Sequence, residues 1–225
     1  FFHRGYETLA ETLAATGEGP VRGILLDLGL SSTQLASDRG FSFTHEDDAL
    51  DMRFDATEGP TAADWIRSAS ENELERILRE YGEFGGARRL ARLLKDLSRQ
   101  GRLRTVGEFA AACREILGDR VRKMPSPTLP AQALRIAVNH ELDRLDAFLA
   151  GLPTCLAPGG RCAILSFQSL EDGRVKRAFR DLARDGDFEI LTRKPVEPGH
   201  EEIARNRRSR SARLRIIERR EEVVS

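Results

Sequence analysis

The chain has 225 residues, of which 40% are hydrophobic and 32% are charged, and its 36 basic side chains balance 36 acidic ones. This composition is typical of a soluble globular protein. No apolar run is long enough to cross a bilayer as a helix, and the first residues lack the basic and then apolar pattern of a signal peptide. These observations exclude a membrane-spanning or exported class and predict a cytoplasmic protein.

Three cysteines, Cys113, Cys155 and Cys162, give an odd number and lack the spacing of metal ligands. We expect them to be small buried side chains in a reducing compartment. The sequence therefore predicts no metal site and no disulfide framework.

The first predicted element is a helix over residues 6–15, with Leu9 and Leu13 on one face and glycines at its end. The apolar run Ile24–Leu26 then predicts a short strand that is buried on both faces. Asp27 ends this run, and Gly29 and several small polar residues follow. Ligands of open α/β sheets bind just outside the carboxyl ends of strands. Asp27 is thus expected either to contact a ligand or to cap the turn that follows.

Two further blocks, Arg39–Phe43 and Asp51–Asp55, mix charged and large apolar residues without a helical or strand period. A long irregular stretch inside a compact domain is uncommon and usually functional. We therefore expect this stretch to lie close to a functional site.

The middle of the chain is predicted to be helical almost throughout. Thr61, Ser70 and Thr105 are expected N-caps, and Glu73 and Glu108 stand at capping-box positions. In the helix expected over residues 87–97, Lys95 is expected on the exposed face. Prolines 125, 127 and 130 should interrupt helix formation. The expected helices cover residues 62–66, 71–80, 87–97, 106–117 and 131–149.

Strand patterns return after this helical stretch. Residues 156–160 are expected to form a turn, 161–167 a buried strand and 169–183 a helix. Residues 188–191 and 211–217 should form two antiparallel strands. A run of helices between strands predicts an inserted helical domain. The expected division is 1–57 and 151–225 for the α/β core and 58–150 for the insertion.

Several blocks of the sequence resemble a known family. Between residues 25 and 55 stand LLDLGLSSTQL, RGFSF and LDMRFD, and further downstream come QALRIAVNHEL and SFQSLED. Together they resemble the MraW family of rRNA small subunit methyltransferases H over most of the chain. The resemblance implies a class I, Rossmann-like α/β fold with an inserted all-helical domain. It also implies transfer of a methyl group from S-adenosylmethionine to N4 of a cytidine in 16S ribosomal RNA.

The resemblance also implies site residues. Asp27 and Gln34 match cofactor-contacting positions, and Phe2 is expected to border the adenine, although a core role for this ring is an alternative. Asp27, Ser166 and Gln168 are the expected catalytic residues. Gln168 stands where the family has histidine, and glutamine can donate and accept hydrogen bonds but cannot take up a proton.

RNA contacts are expected from basic side chains and from one polar helix face. Arginine clusters in a chain of zero net charge are better explained by phosphate contact than by solubility, although charge runs are usually solvated faces. The segment 125–131 lacks the basic and aromatic residues that the family has there, so contacts from it are not expected. The expected RNA-binding residues are Arg88, Arg89, Arg92, Arg135, Asn139, Arg207, Arg208 and Arg210.

The family places a Gly-Gly-His turn and an acidic residue upstream of the first block, and neither occurs in this sequence. We expect the chain to be an N-terminally incomplete copy that lacks the first strands of the sheet and is inactive alone. An alternative is a non-catalytic homologue that binds RNA or the ribosome. A nicotinamide-dependent oxidoreductase is disfavoured because G-x-G-x-x-G is absent. The expected partner is small-subunit RNA or the 30S subunit, and monomer and homodimer remain open.

Overall fold

The computed structural model describes residues 1–121 and 124–221. The chain divides into two compact units, Phe1–Gly29 with Leu142–Ser225, and Leu30–Glu141, which we call the sheet unit and the helical unit. These limits differ from the expected boundaries at residues 57 and 150. The first boundary differs because the LDMRFD block bonds to helical residues, with Leu50 N donating to Arg104 O at 2.9 Å and Ala62 N to Asp51 O at 2.7 Å.

The described residues form the following helices and strands. The helices are α1 Leu9–Thr16, α2 Ser32–Leu35, α3 Ala62–Ser68, α4 Glu71–Glu80, α5 Ala87–Arg99, α6 Val106–Leu117, α7 Thr128–Val138, α8 Glu141–Cys155, α9 Ser169–Arg184 and α10 His200–Arg205. The strands are β1 Val21–Asp27, β2 Arg120–Val121, β3 Met124–Pro125, β4 Leu156–Ser166, β5 Phe188–Ile190 and β6 Arg213–Arg219. Two 3₁₀ helices cover Tyr6–Thr8 and Arg207–Ser211. None of the helices within the described ranges is both long and apolar enough to span a membrane.

The sheet unit contains a mixed four-stranded sheet in the order β1-β4-β6-β5. β1 pairs with β4 in parallel, and β6 is antiparallel to both β4 and β5. The α/β class and the antiparallel pairing of the last two strands are thereby confirmed. Leucines of α8, together with Val175 and Phe179 of α9, pack with β4 and β6 residues such as Ile164 and Ile217 to form the core.

The prediction that the first strand is buried on both faces is wrong. β1 is an outer strand of the described sheet, and its side chains alternate between two faces. Leu26 is buried in the core, whereas Leu25 on the opposite face is 77% exposed. The apolar run therefore marks the strand correctly but does not report what covers it.

β4 is longer than expected because it begins at Leu156 rather than at Arg161. The register against β1 shifts between the pairs Val21–Leu156 and Gly23–Arg161, and Gly159 has a φ of 71°. The predicted turn is thus an irregular segment within the strand, since glycine permits the left-handed backbone that a bulge requires.

The helical unit packs α3 to α7 around one apolar core. The predicted caps are present: the side chains of Thr61, Ser70 and Thr105 accept bonds from the backbone N–H three residues on. The Glu108 carboxylate accepts a bond from Thr105 N, which completes the predicted capping box there, whereas at α4 only the Ser70 half of the predicted box with Glu73 is formed. These local signals fix where α3, α4 and α6 begin.

The prediction of one helix over residues 131–149 is wrong. α7 ends at Val138 and α8 begins at Glu141, and His140 between them has a φ of 51°. The Asn139 side chain bonds to distant backbone groups, which holds the chain in this break. α7 also begins before the expected start, so that Pro130 lies in its first turn, where proline is tolerated.

Lys95 is buried, contrary to the prediction that it lies on the exposed face of α5. Its Nζ donates to Ile66 O and Arg67 O, each at 2.9 Å, and also to Ala69 O. These carbonyls belong to the carboxyl end of α3, whose last carbonyls lack partners within the helix. The ammonium group therefore ties α5 to the end of α3.

We expect Lys95→Met to lower the free energy of unfolding by about 2–4 kcal/mol, because buried carbonyls would lose their donor. Arg99→Met is the matched control, since Arg99 lies on the same helix with an exposed side chain paired to Asp96. Loss of this exposed ion pair should lower the free energy of unfolding by at most about 1 kcal/mol. Urea unfolding of the two variants measures the difference, and equal losses would show that the three bonds contribute no more than a surface pair.

Candidate active site

Two strand ends of the sheet unit lie side by side. β1 and β4 are parallel, with Asp27 paired to Leu165, so Asp27 and Ser166 reach the same edge of the sheet. Leu28 N continues the pairing by donating to Leu165 O at 3.0 Å. This edge is the carboxyl edge of a parallel pair, where open α/β sheets bind ligands.

Asp27 occupies this edge with an exposed carboxylate. Its Oδ1 accepts a bond from Gly29 N at 3.0 Å, whereas Oδ2 makes no hydrogen bond to any described residue. A Cβ added at Gly29 would lie 2.8 Å from Cε2 of Phe167, so a larger residue in this turn would displace the Phe167 ring. Asp27 therefore caps the turn, and one of its oxygens remains available to a ligand.

The β4–α9 junction contains the other expected catalytic residues. Ser166 is 2% exposed, and its hydroxyl donates to Arg213 O at 3.4 Å. Glu171 accepts from the backbone N–H groups of Phe167 and Gln168 at 2.9 and 3.2 Å. The Gln168 side chain stands in a capping-box arrangement with Glu171 at the start of α9, and its Oε1 is buried there. Catalytic roles for Ser166 and Gln168 stay predictions.

One ion pair at this junction was missed by the sequence analysis. Arg215 of β6 is 6% exposed and donates to both carboxylate oxygens of Asp172, at 2.6 and 3.0 Å. The pair fastens the first turn of α9 to the sheet. The position of Arg215 two residues before Ile217, on the same face of β6, was the available signal.

Phe2 lies in the sheet unit and is 62% exposed. It lines a cavity of about 410 Å³ together with Gly23, Leu25 and Phe148. The side chain therefore lies along β1, and Asp27 is not among the residues of this cavity. Its contact with adenine stays a prediction.

Gln34 belongs to the helical unit. Its Oε1 accepts from Ser31 N at 2.8 Å, and its own backbone N donates to Ser31 Oγ at 3.1 Å. These two bonds join Gln34 to the residue just before α2 and hold the start of this short helix. Cofactor contact by Gln34 stays a prediction from the resemblance.

The LDMRFD block is held rigidly within the helical unit. Asn139 is buried, donates to Met52 O and accepts from Phe54 N, each at 2.7 Å. Met52 has a φ of 62°, which is rare for a residue other than glycine and is kept only where surrounding bonds enforce it. Arg39 adds bonds at 2.9 Å to the carbonyls of Arg53 and Phe54.

Asp51 and Arg53 form a two-bond ion pair in this block, at 2.7 and 2.9 Å. Burial raises the pKa of Asp51, but hydrogen bonds from Arg53 and the charges of Arg53 and Arg39 outweigh this and lower the pKa overall. The stabilisation is therefore present above the ordinary carboxyl pKa near 3.8 and is lost as the pH falls through the lower folded value.

The expected RNA-binding residues of α7 make internal bonds. Arg135 donates to both carboxylate oxygens of Glu141 at 2.7 and 2.9 Å, and both side chains are largely buried. Asn139 also donates to Arg135 O at 2.9 Å. These contacts join the end of α7 to the start of α8, and RNA contact by Arg135 and Asn139 stays a prediction.

The other arginines are at the surface. Arg88, Arg89 and Arg92 line an open cavity of about 540 Å³ on α5, where Arg92 lies 3.6 Å from Glu71. Arg207, Arg208 and Arg210 are exposed on the second 3₁₀ helix. Asn206 begins that helix by accepting from Arg208 N at 3.2 Å. Both clusters are therefore accessible to a large ligand.

The cysteines are buried and unpaired, as predicted. Burial and, to a lesser extent, the neighbouring Cys155 together raise the pKa of Cys162 to about 12. Burial likewise raises the pKa of Cys113. No group of three or more histidine, cysteine or acidic residues able to hold a metal occurs within residues 1–121 and 124–221.

Comparison with known proteins decides the family. The model of the MraW methylase family matches residues 1–220. The chain belongs to this family. Similar proteins include "Ribosomal RNA small subunit methyltransferase H" of Prosthecochloris aestuarii, 43% identical over 90% of this chain and 66% of that relative. Proteins of the same name in Rhodopirellula baltica and Geobacter sp. strain M21 are 43% and 40% identical over 97% and 96% of this chain.

The match covers most of this chain but only part of the length of each relative. The matched part spans 67% of the Rhodopirellula relative and 75% of the Geobacter relative. The chain thus spans about two thirds to three quarters of the length of these curated relatives. Asp27, the β4–α9 junction and the LDMRFD block all fall inside the part that the MraW family model matches.

Proposed function

We propose that the protein is a class I, S-adenosylmethionine-dependent methyltransferase that methylates the exocyclic N4 of a cytidine in small-subunit (16S) ribosomal RNA. The observation that carries this proposal is the match of the MraW methylase family over residues 1–220. The relatives named above act, by their names, on small-subunit ribosomal RNA. The mixed α/β sheet with an exposed acid at a strand end supports it.

The residues present fit the cofactor. S-adenosylmethionine offers ribose hydroxyls and an ammonium group as donors, and Asp27 has a carboxylate oxygen without a partner among the described residues. Phe2 offers an exposed aromatic face to a base. When bound, the cofactor supplies an electrophilic methyl group on a sulfonium. Asp27 would hold the cofactor, and the LDMRFD block and the helical unit would recognise RNA.

Gln168 is proposed to orient the target amine. Its Oε1 is buried in a capping-box arrangement with Glu171 at the start of α9, so it would accept from the N–H of an unstacked base after the side chain rotates out of that arrangement. Glutamine does not take up the proton that the amine loses, which passes to solvent. Alignment of the reacting groups is then the main contribution of these residues.

Gln168 also favours the second candidate function, an RNA- or ribosome-binding homologue without activity, because it replaces the histidine of the family block. Methyl transfer separates the two functions. The protein made from its complete reading frame should transfer labelled methyl from S-adenosylmethionine to small-subunit RNA, and Gln168→His should retain activity. RNA binding without methyl transfer by either protein would favour the second function.

We expect the C-terminal arginines to contribute to RNA affinity through phosphate contacts. Each such contact adds roughly 0.7–0.9 to the slope of log affinity against log salt. Arg207→Gln, Arg208→Gln and Arg210→Gln together should therefore flatten the slope by about 2–3. Filter binding over a salt series measures it, and an unchanged slope would leave these exposed arginines as a solvated surface.

A further inference from the structure

A second basic cavity lies on the sheet unit, at the side of the sheet opposite β1. It has a volume of about 210 Å³ and lies between α9, β5 and the segment that follows β5. β5 and β1 are the outer strands of the described sheet, three strand intervals apart, which corresponds to about 14 Å. The cavity is therefore distinct from the strand end that carries Asp27. Its lining residues are Lys176, Phe179, Arg180, Ile190, Thr192, Arg193 and Arg215.

Three exposed cations of this cavity, Lys176, Arg180 and Arg193, have no acidic partner within 4.0 Å among the described residues. Other arginines of α9 are paired, since Arg174 lies 3.1 Å from Asp146 and Arg184 lies 3.1 Å from Asp181. Lys176 and Arg180 are four residues apart on one helix, where like charges are destabilising. An anion bound in the cavity would relieve this repulsion.

The segment after β5, which carries Thr192 and Arg193, is held in place by hydrogen bonds to β6. Leu191 N donates to Ile216 O at 3.0 Å and Val196 N to Leu214 O at 2.9 Å, so the segment carrying Arg193 is fastened along β6 on both sides. Thr192 Oγ1 accepts from Ile216 N at 2.8 Å, which leaves the hydroxyl proton to donate.

The base of the cavity is rigid as well. Arg215 is held by its two bonds to Asp172. Phe179 is buried and supplies an apolar wall, and acidic residues are absent from the lining. The charge of Arg215 is balanced by Asp172, but Lys176, Arg180 and Arg193 converge on a small space whose lining contains no carboxylate. This arrangement suits a phosphate group, which accepts several hydrogen bonds and prefers arginine.

We propose that this cavity, which we call the α9 pocket, binds a backbone phosphate of the RNA substrate away from the methylated base. The proposal rests on the proposed function for the identity of the ligand. The α9 pocket positions the RNA without contacting the reacting atoms, so its role is separable from cofactor binding. It adds Lys176, Arg180 and Arg193 to the surface that recognises the substrate.

The test removes three charges inside the pocket and three outside it. The pocket variant carries Lys176→Gln, Arg180→Gln and Arg193→Gln. The control carries Arg161→Gln, Arg174→Gln and Arg184→Gln, which lie in the same unit but are paired with acids. Affinity for a small-subunit RNA fragment is measured over a salt series, and S-adenosylmethionine affinity is measured by calorimetry.

We expect the pocket variant to lose about 2–3 from the salt slope and roughly tenfold or more in RNA affinity. The control should lose much less, and both variants should bind S-adenosylmethionine like the parent protein. Equal losses in the two variants, or no loss in either, would overturn the pocket. Weaker binding to the assembled subunit with unchanged binding to bare RNA would also overturn it and indicate an acidic protein partner.

A second measurement identifies the source of the phosphate. Inorganic phosphate and cytidine monophosphate are titrated separately while the backbone amide resonances of residues 190–193 are followed by NMR. The proposal is supported if the resonance shifts saturate only at high millimolar concentrations of phosphate or of cytidine monophosphate while RNA binds tightly, because the pocket then recognises a phosphate within the RNA chain. Micromolar binding of the mononucleotide would overturn the RNA assignment. If the protein transfers methyl groups but the pocket variant and its control have the same RNA affinity, only the pocket proposal fails. If the parent protein binds neither cofactor nor RNA, the proposed function fails.

Discussion

Asp172→Ala should lower the free energy of unfolding by about 3–5 kcal/mol, the largest effect expected on stability. The substitution leaves the buried guanidinium of Arg215 without its counter-ion, and two hydrogen bonds at 2.6 and 3.0 Å are lost. The cost is large because the charge that remains is only 6% exposed to solvent. It also frees the first turn of α9 from β6, and with it the junction that carries Gln168.

A matched pair on the same sheet provides the control. Arg161 and Glu218 join β4 to β6 at the surface, where the Arg161 side chain is 66% exposed. Arg161→Met should therefore cost at most about 1 kcal/mol. Replacing both buried partners, Asp172→Leu with Arg215→Met, should recover much of the stability. Urea unfolding of the four proteins measures these losses, and an Asp172→Ala loss no larger than that of Arg161→Met contradicts the assigned role of the buried pair.

Asp27→Ala should weaken S-adenosylmethionine binding roughly tenfold to a hundredfold, the largest effect expected on function. A hydrogen bond to a charged group contributes about 1.5–3 kcal/mol, which corresponds to this range of affinity. The carboxylate is exposed at the sheet edge, with one oxygen engaged by Gly29 N. Loss of the side chain removes both the ligand contact and the turn cap.

Two controls separate these contributions. Asp27→Asn retains an oxygen that can accept from Gly29 N, so it tests the charge with the turn intact. Asp187→Ala removes an exposed carboxylate of the same unit just before β5. Calorimetry should find cofactor affinity reduced in both Asp27 variants and unchanged in Asp187→Ala. Parent-like affinity in both Asp27 variants would show that Asp27 only caps the turn.

Local signals in the sequence were sufficient for the elements that local bonds define. Thr61, Ser70 and Thr105 begin their helices through bonds to a backbone N–H three residues away, so the sequence spacing alone predicts them. The strand around Ile24 and the final antiparallel pair follow from short apolar runs in the same way. The coarse α/β class therefore followed from pattern.

The errors concern residues whose environment is made by distant parts of the chain. Asn139 breaks the predicted long helix by bonding to Phe54 and Met52, which are 85 and 87 positions away. Lys95 is buried because three carbonyls at the end of α3 meet it. Leu25 is exposed because no described element buries its face of β1, whereas Leu26 on the opposite face meets the core. Apolar periodicity describes a residue's own element and cannot report such partners.

The candidate site divides in the same way. The position of Asp27 at the carboxyl edge of the sheet could be predicted because a strand end before a glycine turn is a local pattern with a known geometric consequence. The Asp172–Arg215 pair joins residues 43 positions apart, and no local pattern connects them. Polar side chains among the apolar positions of the QALRIAVNHEL block predicted RNA contact for Arg135, but that pattern did not reveal the bond between its guanidinium and Glu141.

The central claim is methylation of a cytidine amine in small-subunit RNA, and the methylated nucleoside itself tests it most directly. The protein made from its complete reading frame is incubated with small subunits lacking the modification and with S-adenosylmethionine carrying a deuterated methyl group. The RNA is then digested to nucleosides and analysed by mass spectrometry. We predict deuterated N4-methylcytidine, with its amount strongly reduced for Asp27→Ala. Label found only on a ring carbon, on the ribose or on another base would contradict the proposed function, as would the absence of label from the RNA.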